Sequence, residues 1–252
     1  MSRGSQMSMA IPLTPVVKWL IIANVAIWFG LQVLVEGFLK APISNVLSLV
    51  PARLIFEFRI WELFTYMFVH SMQVTHILFN MLMLWFFGSE LEQRWGRKYF
   101  LFYYLFTGVG AGALYCLGMA SYAAATGSQV GLMIPVVGAS GAIFGLMLAQ
   151  GILFGERIVY FFMVFPMKTK YFVAIMGVVQ IASMITSSVG GGEVAYLAHV
   201  GGLVSGYFAL VILSRLKSYE NFKKTKKKGG NLRLVVDNEK PKKSDNGPRY
   251  WN

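Results

Sequence analysis

The chain has 252 residues, of which 56% are hydrophobic and only 13% charged, against roughly a quarter charged in an ordinary soluble domain. That composition excludes a disordered chain and argues against a soluble globule. The net charge of +12 suggests nucleic acid until it is divided along the chain: residues 215–252 hold 12 of the 23 Lys and Arg and 4 of the 11 acids, so no nucleic-acid partner is expected. Both aspartates, Asp237 and Asp245, lie in that tail. A catalytic device in the apolar body must therefore work without Asp. The single cysteine, Cys116, excludes an intrachain disulfide framework and a Cys-based metal site, and reads as a packing residue.

A membrane-spanning helix needs about 20 mostly apolar residues, because each rises about 1.5 Å through a hydrocarbon core of about 30 Å. Six stretches qualify: 16–39, 70–88, 99–120, 137–154, 171–189 and 195–213. The expected fold is an all-α polytopic membrane protein. Residues 1–15 form a short N-terminal segment, 16–214 the six-span body and 215–252 a basic, flexible tail. Cations favour the cytoplasmic side. With both termini inside, Arg3, Lys18, Arg94, Arg97, Lys98, Arg157, Lys168, Lys170 and the tail cations face the cytoplasm, and only Lys40, Arg53 and Arg59 lie outside. The second, fourth and sixth spans then enter from the outer face.

Two apolar segments do not span. From 40 to 70, Arg53, Glu57, Arg59 and Glu62 interleave with Leu54, Phe56, Phe58, Trp61 and Phe64, a pattern suited to an element lying in the outer interface. The ten residues 158–167, bounded by Glu156-Arg157 and Lys168, are too few to cross, and read as an inner-surface strand or re-entrant turn. The run Lys223 to Lys228 reads as a topology determinant that could also touch anionic headgroups of the lipid bilayer.

Polar groups inside a membrane are costly and mark function by default. The second span has His76 and Asn80 one helical turn apart; the fourth opens Gly138-Ala139-Ser140-Gly141, with Phe144 and Gly145; the sixth has His199, with Gly202 and Gly206 on the same face. The paired glycines let the fourth and sixth spans approach closely. In this topology His76, Ser140 and His199 all lie near the outer starts of their helices, which points to one site. A serine hydroxyl needs a base to take its proton, and His199 is the candidate. With no Asp available and Glu193 the only acid near the outer end of the sixth span, the reading is a Ser-His dyad without a carboxylate. The first N–H groups of the fourth helix, including that of Ser140, and side-chain donors from His76 and Asn80 could stabilise an oxyanion. Interhelical hydrogen bonding is the alternative reading for His76 and Asn80. A G-x-S-G sequence partly overlaps the nucleophile elbow of soluble hydrolases, but no strand precedes it here.

These residues resemble the rhomboid family of intramembrane serine proteases over 16–213. The likeness rests on His76-Ile77-Leu78-Phe79-Asn80, Gly138-Ala139-Ser140-Gly141 with Phe144 and Gly145, His199-Val200-Gly201-Gly202 with Gly206, the series Gly88, Glu92 and Gly96, and Trp61 through His70. The resemblance implies a six-helix rhomboid bundle with an interfacial first outer loop. It implies Ser140 as nucleophile and His199 as general base and acid, His76, Asn80 and the Ser140 N–H as oxyanion hole, and Phe144 packed on the His199 ring. Gly138, Gly141 and Gly202 are supporting residues. It also implies single-span membrane-protein substrates cut near the outer face without cofactor or metal, and a lateral gate including Phe172 and Met176. One departure is Trp61-Glu62, where the family often has Trp-Arg; Arg59 is a possible stand-in. His70 is expected to be structural. A six-span body without a seventh helix is the expectation for a bacterial inner-membrane enzyme. The rival readings are a catalytically inactive relative that binds or escorts membrane helices, and a transporter, which the lack of an inverted repeat disfavours.

Overall fold

A computed structural model of the chain describes residues 12–161, 164–186 and 193–228. The expected N-terminal segment, the last residues of the fifth span and the tail beyond 228 fall wholly or largely outside that range. Two units divide the chain, Met1–Ser214 and Arg215–Asn252. The described residues include six apolar helices: α1 (Pro15–Leu39), α2 (Val74–Trp95), α3 (Arg97–Thr126), α4 (Ser140–Leu153), α5 (Thr169–Thr186) and α6 (Glu193–Lys228). All but α4 are long and apolar enough to cross a membrane. The protein is a multi-pass integral membrane protein with a helical bundle.

Three boundaries differ from the expectation in ways that matter. α2 begins at Val74 instead of 70, so His70 belongs to the preceding loop. The fourth span shrinks to the 14 residues of α4 because Gly138, at φ +117°, turns the chain immediately before it. Helix α6 continues to Lys228, so the basic segment is helical up to that point.

Helix α1 starts at a proline, which has no N–H to leave unpaired. Its next two N–H groups, from Val16 and Val17, are capped by the Glu92 carboxylate of α2 at 3.0 Å. A carboxylate there also meets the positive end of the helix dipole. From Ile27 to Glu36 the helix widens to π winding. On this stretch Trp28 Nε1 donates to Ser71 O (3.0 Å), and the Gln32 amide clasps His70 through both backbone groups, Nε2 to O at 2.6 Å and N–H to Oε1 at 2.9 Å. The first helix thereby fixes the chain that leads into α2.

The first loop is built of short helices, Ile43–Leu47, Pro51–Phe56 and Glu62–Thr65, the last running into a tight turn at Tyr66–Phe68. Phe56, Phe58, Ile60 and Trp61 are exposed, as an interfacial element requires. Glu62 is the loop's anchor. It is fully buried, its Oε2 accepts from Val50 N–H (3.0 Å), and Arg53 and Arg59 stand at 3.9 and 3.8 Å from Oε1. The departure at this position therefore supplies an anion that draws two arginines inward, and Arg59 serves as its partner, bridging also to Glu57 at 2.6 Å.

The core is organised around α3. Tyr66, Tyr103 and Tyr115 are buried, and each spends its hydroxyl on a carbonyl: Gly108 O (2.7 Å), Gly145 O (2.7 Å) and Ile134 O (2.9 Å). Each couples apolar bulk to a satisfied polar tip. Cys116 packs among these residues in the core. After α4, β1 (Ile158–Phe161) and β2 (Phe165–Lys168) form an antiparallel hairpin, registering Ile158 with Lys168, which is the strand form of the non-spanning segment.

Candidate active site

The approach to Ser140 is fixed before the helix begins. Leu49 and Val136 exchange backbone hydrogen bonds (3.1 and 2.9 Å), and Gly138 N–H donates to Tyr66 O (2.9 Å). Both contacts tie the chain entering α4 to the first loop. Gly138 then takes a left-handed backbone that other residues rarely adopt. Ser140 follows as the first residue of α4, where helix N–H groups have no intrahelical acceptor.

His199 reaches Ser140 because α4 and α6 meet backbone to backbone. A Cβ on Gly202 would be driven into the Gly141 carbonyl; one on Gly206 would stand 2.8 Å from Gly145 Cα. The Tyr103 hydroxyl, already on Gly145 O, also lies 3.1 Å from Gly206 O and so laces the two helices together. The result is a 2.8 Å hydrogen bond between Ser140 Oγ and His199 Nε2. Phe144 stacks on the imidazole, with centroids 4.3 Å apart and planes inclined by 21°. Both Ser140 and His199 are only half-buried, so the pair is not sealed inside the bundle.

His76 faces the same spot from α2. A Cβ on Gly138 would stand 3.1 Å from His76 Nε2 and 3.7 Å from Ser140 Oγ. On the other side of the ring, Ser71 N–H approaches Nδ1 at 3.2 Å. A backbone N–H can only donate, so Nδ1 is bare and Nε2 carries the proton toward the Ser140 side. Asn80 donates one Nδ2 hydrogen to His76 O within its own helix (2.8 Å), and its Oδ1 has no hydrogen-bond partner among the described residues. The bond the structure gives Asn80 is thus intrahelical, not interhelical.

The remaining ring nitrogen of His199 has an unanticipated partner. Gln180 of α5, buried in the bundle, places Oε1 2.7 Å from His199 Nδ1. Acids alone, the usual third group beside a histidine, do not point to it. Its signal was present all the same, a lone amide in the apolar run Val178-Val179-Gln180-Ile181, where a polar residue is a candidate by default. The side chain of Glu193 lies outside the described residues. Phe172 stacks on Phe87 at 6.1 Å, and Met176 packs against the core. Among the described residues no three His, Cys, Asp or Glu side chains gather as a metal-binding group.

The chain is also similar to known proteins along most of its length. The family model described as Rhomboid domain matches residues 57–216. "RHOMBOID-like protein 1" of Arabidopsis thaliana is 30% identical over 184 residues, 71% of this chain and 42% of that protein. "Rhomboid protease GluP" of Bacillus subtilis is 30% identical over 161 residues, 63% of this chain and 27% of the other. "Rhomboid protein 1, mitochondrial" of Saccharomyces cerevisiae is 32% identical over 135 residues, 52% and 36% respectively. The chain thus spans less than half the length of each of these relatives.

Proposed function

The chain belongs to the rhomboid family, and on that footing we propose that it is an intramembrane serine endopeptidase that cuts a peptide bond in or near the membrane-spanning segment of protein substrates. The observation that carries this reading is the 2.8 Å bond from Ser140 to His199. Nucleophile and base within hydrogen-bond reach, with the base held by a third group, is the arrangement an activated serine requires.

In the proposed reaction His199 Nε2 takes the Ser140 proton as Oγ attacks the scissile carbonyl, then returns it to the departing amine. The His76 Nε2–H, the second Nδ2 hydrogen of Asn80 and the Ser140 N–H converge on the carbonyl oxygen as it gains charge. Helix α4 would extend about 21 Å, short of the about 30 Å hydrocarbon thickness, so its N-terminus can lie below the bilayer surface while its other end stays at the opposite face. Substrate helices must unwind before the carbonyl can be reached, which Gly or Pro in the cleavage region makes cheaper. The distribution of Lys and Arg supports an orientation with both termini on the inner side and cleavage near the outer face.

Reconstitution in liposomes with a single-span model substrate tests the proposal. Cleavage abolished by Ser140→Ala and by His199→Ala is the expected result. Undiminished cleavage in either variant would overturn the dyad, and no cleavage by the unaltered protein across a panel of substrates would favour an inactive, helix-binding relative.

A further inference from the structure

We propose that Gln180 is a positioning residue for the base: its amide oxygen holds His199 in the tautomer that leaves Nε2 free to accept the Ser140 proton. This rests on the dyad reading of Ser140 and His199. An amide oxygen only accepts, so an Oε1 placed 2.7 Å from Nδ1 requires the proton on Nδ1. Nε2 is then bare, facing Ser140 Oγ at 2.8 Å. Were the tautomer reversed, Nε2 would carry a hydrogen toward Oγ and could not act as base.

The third group is neutral, which fits its surroundings. Residues 1–214 contain no Asp, and an ionised carboxylate among buried apolar side chains would be costly. An amide fixes the ring direction by one hydrogen bond and strengthens when the ring becomes cationic, because a bond to an ionised donor is stronger. Phe144 holds the ring's face while Gln180 holds its edge. Face and edge together leave the imidazole no free rotation. Gln180 comes from α5, whose neighbours Val178, Val179 and Ile181 are exposed. A costly polar side chain on an otherwise lipid-compatible helix is directed at the base.

The test uses the whole 252-residue chain in vesicles. Gln180→Leu is expected to lower kcat roughly 10- to 100-fold with KM within about twofold, less than the roughly 10⁴-fold loss when a serine protease's buried carboxylate is replaced. Gln180→Glu, which restores an accepting oxygen as an anion, is expected to keep more activity than Gln180→Leu and to move the acid limb of the pH profile upward by about one unit. A side chain at 180 that packs without meeting Nδ1 would leave that limb in place. Gln180→Asn, which withdraws the amide by one methylene, guards against a folding failure in the leucine variant and is expected to fall between the other two.

A readout independent of turnover comes from the imidazole nitrogens. With three histidines in the chain, nitrogen-15 NMR of labelled protein resolves His199. The proton is expected on Nδ1 in the unaltered protein, with that preference lost in Gln180→Leu. A resting His199 protonated on Nε2, or Gln180→Leu with unchanged kcat, would overturn the positioning role. Loss of cleavage in Ser140→Ala alongside unchanged Gln180→Leu would leave the dyad intact and remove only Gln180. Persistent cleavage in Ser140→Ala would remove the dyad itself.

Discussion

Gly202 presses against Gly141 so closely that a Cβ at position 202 would enter the Gly141 carbonyl. The obstacle is backbone, so the helices themselves would have to part. Gly202→Ala is therefore expected to cost about 1–3 kcal/mol of stability through overpacking, despite alanine's better helix propensity. Separation of α4 from α6 would also lengthen the bond from Ser140 to His199, and cleavage is expected to fall at least about 100-fold. Gly177→Ala is the control, since its Cβ would make only ordinary contact with Leu203 at 3.5 Å. Thermal midpoints and cleavage rates of the two variants check the comparison; equal effects would show that the close approach is not limiting.

Glu62 gives a second prediction. Its carboxylate accepts from the buried Val50 N–H and lies near two arginines. Glu62→Ala leaves that donor unsatisfied, at about 1–3 kcal/mol, while Glu62→Gln keeps an acceptor and should lose less. Glu62→Arg adds a third cation to Arg53 and Arg59 and should lose most. Melting, with limited proteolysis across 40–70, should rank the variants in that order.

The contrast between Glu62 and Ser140 shows where the sequence was readable. Long apolar runs announced the spans, because hydrocarbon thickness imposes a length on every crossing helix. Glycines at one-turn spacing announced the meeting of α4 and α6, and with it Ser140 and His199. The loop anchor was not legible, since Glu62 depends on Val50, Arg53 and Arg59, whose approach is set by how the short helices fold back. The start of α2 was misplaced for a related reason. His70 continues the apolar pattern but is held outside the helix by Gln32 of α1. The contact of Gln180 with His199 was not legible either, because a histidine can be met by any acceptor and not only by an acid.

His70 makes stability depend on pH. It is buried beside His76, their ring centroids 5.2 Å apart. Burial, reinforced by the neighbouring His76, lowers its pKa to about 4 from the ordinary 6.5. Below pH 6.5 the unfolded chain takes up a proton that the folded one refuses, so stability falls as pH drops from 6.5 toward 4 and is retained above 6.5. That gap corresponds to roughly 3 kcal/mol. Thermal midpoints in lipid nanodiscs from pH 7.5 to 4.5 should fall for the unaltered protein and fall less steeply in His70→Gln. Parallel curves for the two would assign acid sensitivity to another group.

Asn80 separates the oxyanion proposal from a structural role. One Nδ2 hydrogen is committed to His76 O, a bond inside a single helix whose loss costs about 1 kcal/mol and leaves the rate of bond cleavage untouched. In the proposed reaction the other hydrogen meets the carbonyl oxygen of a substrate held at Ser140. A donor that acts only as charge develops contributes about 2.7–4 kcal/mol to the barrier, a loss of roughly 10²- to 10³-fold in kcat, while ground-state binding hardly changes. Asn80→Ala should accordingly lower kcat by that factor with KM within about threefold. Unchanged kcat with a slightly lower melting temperature would confine Asn80 to its intrahelical bond and leave His76 and the Ser140 N–H as the donors. In the proposed reaction His76 Nε2–H is a further donor to the same oxygen, so His76→Ala should show the same kinetic signature. In the double variant the two losses should combine to less than their product if both hydrogens meet the same oxygen.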